Sequence, residues 1–309
     1  MNSSSSQLQI KPLDLGIQCF FKAMGGQGEL RLHDRHQSQL DLEKIAKVCV
    51  EEVVRIEQKY SRYLPSSVIS LINQASGIQS TPIDAETFEL LTFANELFKS
   101  SQGLFDITSG ILRRVWDFKS KRIPSKEEID QLLPLISWPS VRLDSQEIYL
   151  PQKSMEIDLG GFGKEYAADR VAKILTESNI QSGFINLSGD IKVIGPKLDN
   201  SAWQMGIQNP RQSHQLLASI PIHQGALATS GDYERFFSVG NKRYCHILRP
   251  DTGLPVNHWQ SVSVVAPLAI VAGSCSTITM LLQEEGLTYL NNTGFSYLAI
   301  DSQGQVHQK

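Results

Sequence analysis

The chain has 309 residues, of which 41% are hydrophobic and 20% are charged, and its formal net charge is −3. This composition is typical of a globular protein with a hydrophobic core, and it argues against a nucleic-acid-binding protein, which is usually basic. No apolar run reaches the roughly 18 residues of a membrane-spanning helix, so we expect no direct insertion into a membrane.

The N-terminal segment, residues 1–16, begins with MNSSSSQLQI and lacks both the basic and the apolar regions of a secretory signal. We expect this segment to be disordered, and we expect a cytoplasmic protein. The cysteines lack CxxC spacing, so neither a zinc site nor a disulfide framework is expected. They are Cys19, Cys49, Cys245 and Cys275. Reduced thiols are typical of the cytoplasm.

The first half of the chain predicts a strand pair followed by helices. Residues 17–33 predict two short strands around a Gly-rich turn. Residues 41–63 and 85–103 carry apolar residues at helical spacing. A short helix is predicted over residues 125–136, with Ser125 as its N-cap and acids in its first turn.

The second half is richer in strands. Strands are predicted at residues 146–150, 154–159, 182–195 (a hairpin), 203–210, 215–223, 225–231, 237–248, 261–267 and 296–307. Helices are predicted at residues 164–179 and 274–285. Helices interleaved with hairpins predict an α+β fold with mixed or antiparallel sheets and flanking helices. Neither GxGxxG after a strand nor GxxxxGKS/T is present, and residues 17–309 show no linker, so we expect a single domain.

The segment EIDLGGFGKEYAADR, residues 156–170, is the most informative for chemistry. Asp158 ends a predicted strand, a Gly-rich turn follows, and Lys164 stands at a helix start. Exposed backbone N–H groups, a positive helix end and a lysine are typical of an anion-binding site. The alternative is a simple strand-to-helix turn in which Asp158 and Lys164 form a surface ion pair.

Two further polar residues have two interpretations each. His246, in YCHILRPDTGLPV, is either a donor that faces a ligand or a core histidine with satisfied nitrogens. Asp106, in FDIT, lies between apolar and β-branched residues, where a lone carboxylate needs a partner. For Asp106, a structural partner is the more common explanation.

Seven segments, taken together and in chain order, resemble the ApbE family of FAD:protein FMN transferases. They are AMGG (23–26), SRYLPSSVISLIN (61–73), GLFDIT (103–108), DLGGFGKEYAADR (158–170), FINLSGDI (184–191), ATSGDYERFF (228–237) and HILRPDTGLPV (246–256). The resemblance covers most of the chain. It implies an ApbE-like fold and an enzyme that binds FAD, with Mg²⁺ at the pyrophosphate. Such an enzyme transfers FMN to a Ser or Thr hydroxyl of a target protein through a phosphoester, and it releases AMP.

The resemblance also implies roles for individual residues. The implied FAD-binding residues are Met24, Tyr63, Leu104, Phe105, Asp106, Asp158, Lys164, His246 and Ile247. The implied metal ligands are the backbone carbonyl of Gly161 and the hydroxyl of Thr277. Mg²⁺ and Lys164 would neutralise charge on the phosphates. His246 or a nearby Asp would take the proton of the acceptor hydroxyl, and the sequence does not decide between them.

The chain departs from the family pattern around the metal. AGSCST, residues 272–277, is expected where a strand passes into a helix, and it has Gly273 where the family has an Asp ligand. Loss of this carboxylate should weaken Mg²⁺ binding. Glu165 replaces the usual Gly. It can offset the charge of Lys164, repel the FAD phosphates or, as the least favoured interpretation, replace the missing carboxylate. Ser188 stands where Gly is common, which we expect to be harmless.

These departures leave two alternative functions open. The first is an FAD-binding pseudoenzyme, or a partner of a true transferase, because Gly273 removes an anionic ligand. The second is an FAD pyrophosphatase that uses water as the acceptor. Cys275, within AGSCST, is expected to be a buried and inert thiol.

Overall fold

The computed structural model describes residues 8–240 and 242–309. The α-helices are α1 (Gln39–Tyr60), α2 (Val68–Gln74), α3 (Ala85–Ser100), α4 (Lys126–Leu132), α5 (Gly163–Glu177), α6 (Ala269–Leu282) and α7 (Gly286–Thr293). Short 3₁₀ helices span Ile107–Arg114, Leu133–Leu135, Trp138–Ser140 and Gln283–Glu285. Within the described residues, no helix is both long enough and apolar enough to cross a membrane.

The strands alternate with these helices along the chain. They are β1 (Gln9–Leu13), β2 (Gly16–Ala23), β3 (Gly26–His33), β4 (Thr81–Pro82), β5 (Arg142–Leu143), β6 (Glu147–Tyr149), β7 (Ser182–Leu187), β8 (Asp190–Gly195), β9 (Trp203–Asn209), β10 (Gln212–Ile222), β11 (Gly225–Gly231), β12 (Phe236–Val239), β13 (Lys242–Cys245), β14 (Trp259–Ala266), β15 (Ser296–Asp301) and β16 (Val306–Gln308).

The main sheet runs through the centre of the molecule. Within the described ranges it has nine strands, in the order β1-β2-β3-β7-β8-β11-β14-β15-β16, and neighbouring strands are antiparallel. Strands β9 and β10 form one separate hairpin, and β12 and β13 form another. Antiparallel sheets with flanking helices confirm the predicted α+β class.

Helices cover one face of the main sheet, and the β9–β10 hairpin covers the other. Helices α1, α5 and α6 pack on the sheet and on one another. Successive residues of a strand point to opposite faces, so Phe184 and Ile185 of β7 enter two different hydrophobic cores. Phe184 meets Trp203 of the hairpin at 5.0 Å between ring centroids. The central strands are therefore buried on both faces, and the polar site lies at their ends.

Two tight turns lie side by side at one end of the sheet. Met24 and Gly25 join β2 to β3 with φ of 53° and 76°, and Ser188 and Gly189 join β7 to β8 with φ of 58° and 101°. Two-residue turns with positive φ at both positions match the twist of hairpin strands. Since β3 pairs with β7, the turns are in contact, and a Cβ on Gly26 would lie 1.9 Å from Ser188 Oγ.

The N-terminal prediction is wrong where the structure describes it. Residues 9–13 form β1, which pairs with β2 from Gln9 to Leu13, whereas residues 1–16 were expected to be disordered. Residues 1–7 lie outside the described part of the chain. An edge strand needs few apolar side chains, because backbone pairing holds it, so the polar composition of this segment concealed it.

Residues 154–159 do not form the predicted strand. Ser154 has a φ of 73°, which interrupts extended backbone. The N–H of Ile157 donates to the side-chain oxygen of Asn73 at 2.7 Å, and the N–H of Asp158 donates to the carbonyl of Ile107 at 2.9 Å. The segment therefore satisfies its backbone through distant loops instead of a ladder of strand hydrogen bonds.

Helix α6 begins earlier than predicted. It starts at Ala269, so AGSCST lies within the helix and not at its join with β14. The carboxylate of Asp169, on α5, accepts hydrogen bonds from the N–H groups of Ala269 and Ile270, both at 2.9 Å. This cap comes from about 100 residues away, so no local pattern could show the helix start.

Candidate active site

The candidate active site is built around the start of α5, beside the two hairpin turns. The segment DLGGFG leads into the helix, and Phe162 at the N-cap position offers no side-chain cap. A Cβ on Gly161 would lie 2.9 Å from the ring of Phe105, so the close approach requires glycine. Met24 reaches this point from its turn, since a Cβ on Gly163 would lie 3.7 Å from Met24 Cε. The N–H of Gly163 donates to the carbonyl of Leu159 at 2.9 Å, and among the described residues no side chain caps the N–H groups that follow, which suits an anion.

Lys164 forms an ion pair with Asp190, the first residue of β8. The side chain of Asp190 is only 5% exposed. Burial disfavours the charged amine, but the negative charges of Asp190 and Glu165 raise the pKa of Lys164 above its ordinary value. Lys164 therefore carries a fixed positive charge beside the helix end.

Asp158 is held by two arginines and not by Lys164. Its carboxylate accepts from Arg113 at 2.8 Å and from Arg62 at 3.3 Å. The alternative interpretation, a surface ion pair between Asp158 and Lys164, is therefore wrong. Arg62 also lies 4.6 Å from the ring centroid of Tyr63, which is 73% exposed. Burial raises the pKa of Asp158, and the charge of Arg62 opposes this rise.

Asp106 points into the protein. Its carboxylate accepts from the N–H of Thr108 at 2.7 Å, from the Thr108 hydroxyl at 2.6 Å and from the N–H of Trp138 at 3.1 Å. A structural partner, the more common explanation, is what the geometry shows. The neighbouring Phe105 stacks on Phe162 with 6.1 Å between ring centroids, which ties this segment to the loop before α5.

Leu104 borders a cavity. This cavity of about 560 Å³ has mainly polar walls that include Arg249, His258 and residues 282–285. The cavity lies at the C-terminal end of α6, whereas Lys164 lies at the N-terminal end of α5. Leu104 directly precedes Phe105, whose ring packs on the loop before α5.

Glu165 is buried against α6. It belongs to the first turn of α5 and is 7% exposed. A Cβ on Gly273 would lie 2.4 Å from Glu165 Oε1 and 2.8 Å from its carboxyl carbon. Among the described residues, Oε2 has no hydrogen-bond partner. Burial and the charge of Asp190 raise the pKa of Glu165 to about 8. The carboxyl group thus fills the space that a side chain at position 273 would need.

Thr277 faces a cluster of hydroxyls between α6 and the main sheet. Ser230 Oγ, on β11, lies 2.9 Å from Thr277 Oγ1 and 2.7 Å from Ser276 Oγ. Positions four residues apart on a helix share a face, so Gly273 and Thr277 are neighbours on α6. The structure therefore brings the carboxyl group of Glu165 and the hydroxyl of Thr277 to the same face of α6.

His246 follows β13 and presents an unpaired ring nitrogen. Its backbone N–H donates to the carbonyl of Arg235 at 3.0 Å. Within the described part of the chain, Nδ1 is buried without a hydrogen-bond partner. Burial and the charge of Arg235 lower the pKa of His246 to about 4, so the ring is neutral at pH 7. A satisfied core histidine would have its nitrogens bonded, so this geometry favours the ligand-facing interpretation. Ile247, beside it, packs on the main core.

Comparison with known proteins decides the family. Residues 24–299 match the sequence model of the ApbE family. The chain belongs to the ApbE family. The FAD:protein FMN transferase of Klebsiella pneumoniae is 30% identical over 230 residues, which are 72% of this chain and 71% of that protein. The FAD:protein FMN transferase of Haemophilus influenzae is 29% identical over 252 residues, 76% of this chain and 72% of that protein.

A solved structure supports the same assignment. The crystal structure of the ApbE protein from Thermotoga maritima aligns with a TM-score of 0.87 at 30% identity, and the alignment covers 97% of each chain. The predicted family and fold are confirmed, and so is the prediction of a transferase enzyme.

The residues present suit the Mg²⁺ that the ApbE family implies. The described residues hold no group of three or more His, Cys, Asp or Glu side chains that could bind a metal ion. Mg²⁺ commonly takes one or two carboxylates and completes its shell with water and substrate phosphates. The unpaired Oε2 of Glu165 and the hydroxyl of Thr277 are oxygen donors of this kind. The site therefore fits a metal that a ligand helps to hold.

Several residues of the site were missed in the sequence. Arg62 and Arg113 hold Asp158, and Asp190 pairs with Lys164. The rule that a buried charge needs a partner predicts that such residues exist. It does not say which residues they are, because Arg62 and Asp158 are 96 positions apart. Arg62 and Asp190 do lie inside two of the seven family segments.

Proposed function

We propose that the protein transfers the FMN moiety of FAD to a Ser or Thr hydroxyl of a target protein, through a phosphoester, with release of AMP. The observation that carries this proposal is the ion pair between the half-buried Lys164 and the buried Asp190 at the N-terminus of α5. In this proposal the ammonium group of Lys164, held in place by Asp190, would contact the pyrophosphate. Family membership and relatives named FAD:protein FMN transferases support the reaction type.

The residues around Asp158 would bind the flavin nucleotide. Arg113 and Arg62 fix the Asp158 carboxylate, so it is an oriented acceptor for a ring N–H or a ribose hydroxyl. Tyr63 offers an exposed aromatic face for stacking. Met24 and Ile247 contribute apolar contacts. In this proposal Asp106 acts indirectly, because the hydrogen bonds that it accepts from Thr108 and Trp138 fix the turn that follows Phe105.

The reaction breaks the bond between the bridging oxygen and the FMN phosphorus, and the acceptor oxygen bonds to that phosphorus while AMP leaves. Lys164 offsets negative charge on the phosphates. The Thr277 hydroxyl and the Gly161 carbonyl would hold Mg²⁺, which would supply further charge neutralisation. The acceptor hydroxyl loses a proton, and the neutral ring of His246 can accept it. Asp190 is the alternative base, although its pairing with Lys164 makes it a weaker one.

One observation favours a second candidate function. Gly273 leaves α6 without a carboxylate in AGSCST, which favours an impaired FAD-binding pseudoenzyme or a partner of a true transferase. Hydrolysis of FAD to FMN and AMP would need only water in place of the acceptor. A cytoplasmic location, with an acceptor protein in the same compartment, belongs to our proposal as well.

The test combines the protein, FAD, MgCl₂ and an acceptor domain that a related ApbE transferase modifies. We expect covalent flavin fluorescence on the acceptor and one AMP per flavin attached. Lys164→Met should lower the rate by roughly 100-fold. The matched control is Lys173→Met, which removes an exposed lysine from the same helix. AMP without covalent flavin would show hydrolysis instead of transfer. Binding of FAD without either product would show a pseudoenzyme.

A further inference from the structure

Glu165 combines two properties that seldom occur together in a folded protein. It is buried, and one of its carboxyl oxygens has no partner among the described residues. The nearest cation in sequence, Lys164, is paired with Asp190. A buried carboxyl group without a partner is costly, and such groups are normally paired or bound to metal. Oε2 of Glu165 therefore has no donor among the described residues and keeps its capacity to bind a ligand.

The position of Glu165 relative to α6 indicates what that ligand is. Oε1 would lie 2.4 Å from a Cβ on Gly273, and Gly273 is one helical turn before Thr277. The carboxyl group thus reaches the face of α6 that carries the Thr277 hydroxyl. Gly161, whose carbonyl the proposed function assigns to the metal, lies four residues before Glu165 in the same loop and helix start.

We propose that Glu165 of α5 supplies the carboxylate ligand of Mg²⁺ at this site, in place of a side chain at position 273 of α6. The inference rests on the proposed function, because that function calls for the metal. The carboxylate reaches the same space from the facing helix. The side chain of glutamate is longer than that of aspartate, so Glu165 can reach from α5 to α6. Glycine at position 273 leaves space for its carboxyl group.

The geometry also makes the two positions mutually exclusive. A side chain at position 273 cannot keep its Cβ 2.4 Å from Glu165 Oε1, since real contacts of this kind are never so short. Either Glu165 or residue 273 can present a carboxylate here, but not both in these positions. If Glu165 only filled space, an uncharged side chain of the same shape would serve equally well. If it binds the metal, such a substitution should weaken metal binding.

The first experiment measures metal binding directly. Mn²⁺ binding to the full-length protein is followed by the loss of the free Mn²⁺ signal in electron paramagnetic resonance, with and without saturating FAD, and Mg²⁺ is used as the competitor. We expect Glu165→Gln, which keeps the shape of the side chain, to weaken Mn²⁺ binding by at least about 10-fold. Glu177→Gln is the matched control, because it removes one charge from the exposed end of the same helix, and it should not change binding.

The second experiment moves the carboxylate back to α6. Gly273→Asp alone should lower the thermal midpoint, because it crowds Glu165. The pair Glu165→Gly and Gly273→Asp should bind Mn²⁺ within roughly 3-fold of the natural protein, whereas Glu165→Gly alone should not. The inference is overturned if Glu165→Gln binds Mn²⁺ as tightly as the natural protein. It is also overturned if the natural protein binds no Mn²⁺ with FAD present.

These readouts separate this inference from the proposed function. FAD affinity without metal is measured by quenching of flavin fluorescence, and FMN transfer is measured by AMP release. If Mn²⁺ binds through Glu165 but no FMN is transferred, the proposed function fails and the metal ligand stands. If transfer occurs while Glu165→Gln binds metal normally, the function stands and the metal ligand is wrong.

Discussion

Asp106 and Glu165 are buried to the same extent, each 7% exposed, and each stands at the start of a helical segment. The carboxylate of Asp106 accepts hydrogen bonds from two N–H groups and a hydroxyl. Oε2 of Glu165 has no donor within the described residues. Burial raises the pKa of both groups. The difference between them lies in the hydrogen bonds that each carboxylate receives.

This difference separates a structural acid from one that is open to a ligand. The family resemblance had placed Asp106 among the FAD-binding residues, whereas Glu165 was a departure from the pattern, with replacement of the missing carboxylate as its least favoured interpretation. The hydrogen bonds favour Glu165 over Asp106 as the acid that binds a ligand, because an acid whose oxygens already accept hydrogen bonds has little capacity left for a ligand. A buried acid with an oxygen that lacks a partner keeps that capacity, but the missing hydrogen bond lowers the stability of the fold.

The largest expected effect is on stability, and it tests the hydrogen bonds that Asp106 accepts. Asp106→Ala leaves the N–H groups of Thr108 and Trp138 buried without an acceptor. We expect the free energy of unfolding to fall by about 4 kcal/mol, measured by urea denaturation. Glu165→Gln should leave that free energy nearly unchanged, because the raised pKa of about 8 keeps the Glu165 carboxyl group mostly uncharged at pH 7. Equal losses of unfolding free energy from both variants would contradict the distinction between a structural acid and one open to a ligand.

The second prediction concerns His246, whose buried Nδ1, like Oε2 of Glu165, has no hydrogen-bond partner among the described residues. Its folded-state pKa is lowered to about 4, while an unfolded histidine titrates near 6.5. Between these values the unfolded chain binds more protons, so stability falls as the pH decreases from about 6.5 to 4. The loss should reach at most about 3 kcal/mol, and none is expected above pH 7.

A comparison of variants isolates this histidine. Unfolding of the natural protein and of His246→Gln is measured from pH 4 to 7.5, and the slope between pH 4 and 6.5 should be smaller in the variant. His214→Gln is the control, because it removes an exposed histidine from β10. If all three proteins show the same slope, His246 is not buried in its neutral form.

The sequence predicted the scaffold better than it predicted the site. Hairpins and amphipathic helices follow local periodicity, so β7–β8, α1 and α5 were found with small errors at their ends. The helix start at Ala269 was missed, because its cap is Asp169 on another helix. Contacts such as those between Arg62 and Asp158 depend on packing between segments far apart in the chain. A single sequence carries no signal for them.

The third prediction tests the contact between Glu165 and Gly273. A Cβ on Gly273 would crowd the Glu165 carboxyl group, so Gly273→Ala should lower the free energy of unfolding by about 1.5 kcal/mol. In a Glu165→Ala background, the same substitution should be neutral or stabilising, because alanine favours the helix over glycine. The coupling energy from this double-mutant cycle measures the contact. Additive effects would show that Glu165 moves aside without cost.

The smallest expected effect concerns Ser188, in the turn that precedes Asp190. Its φ of 58° is in the left-handed region, which costs a non-glycine residue about 1 kcal/mol. Glycine removes that strain but has more freedom in the unfolded chain, and it loses the 3.3 Å hydrogen bond from Ser188 to the carbonyl of Gln27. We therefore expect Ser188→Gly to raise the free energy of unfolding by about 0.5 kcal/mol.

Gly189→Ala, at a φ of 101°, is the matched control and should destabilise. If Ser188→Gly also destabilises, the serine hydroxyl helps to hold the turn. In that case this departure from the family pattern stabilises the end of the sheet where Asp190 meets Lys164.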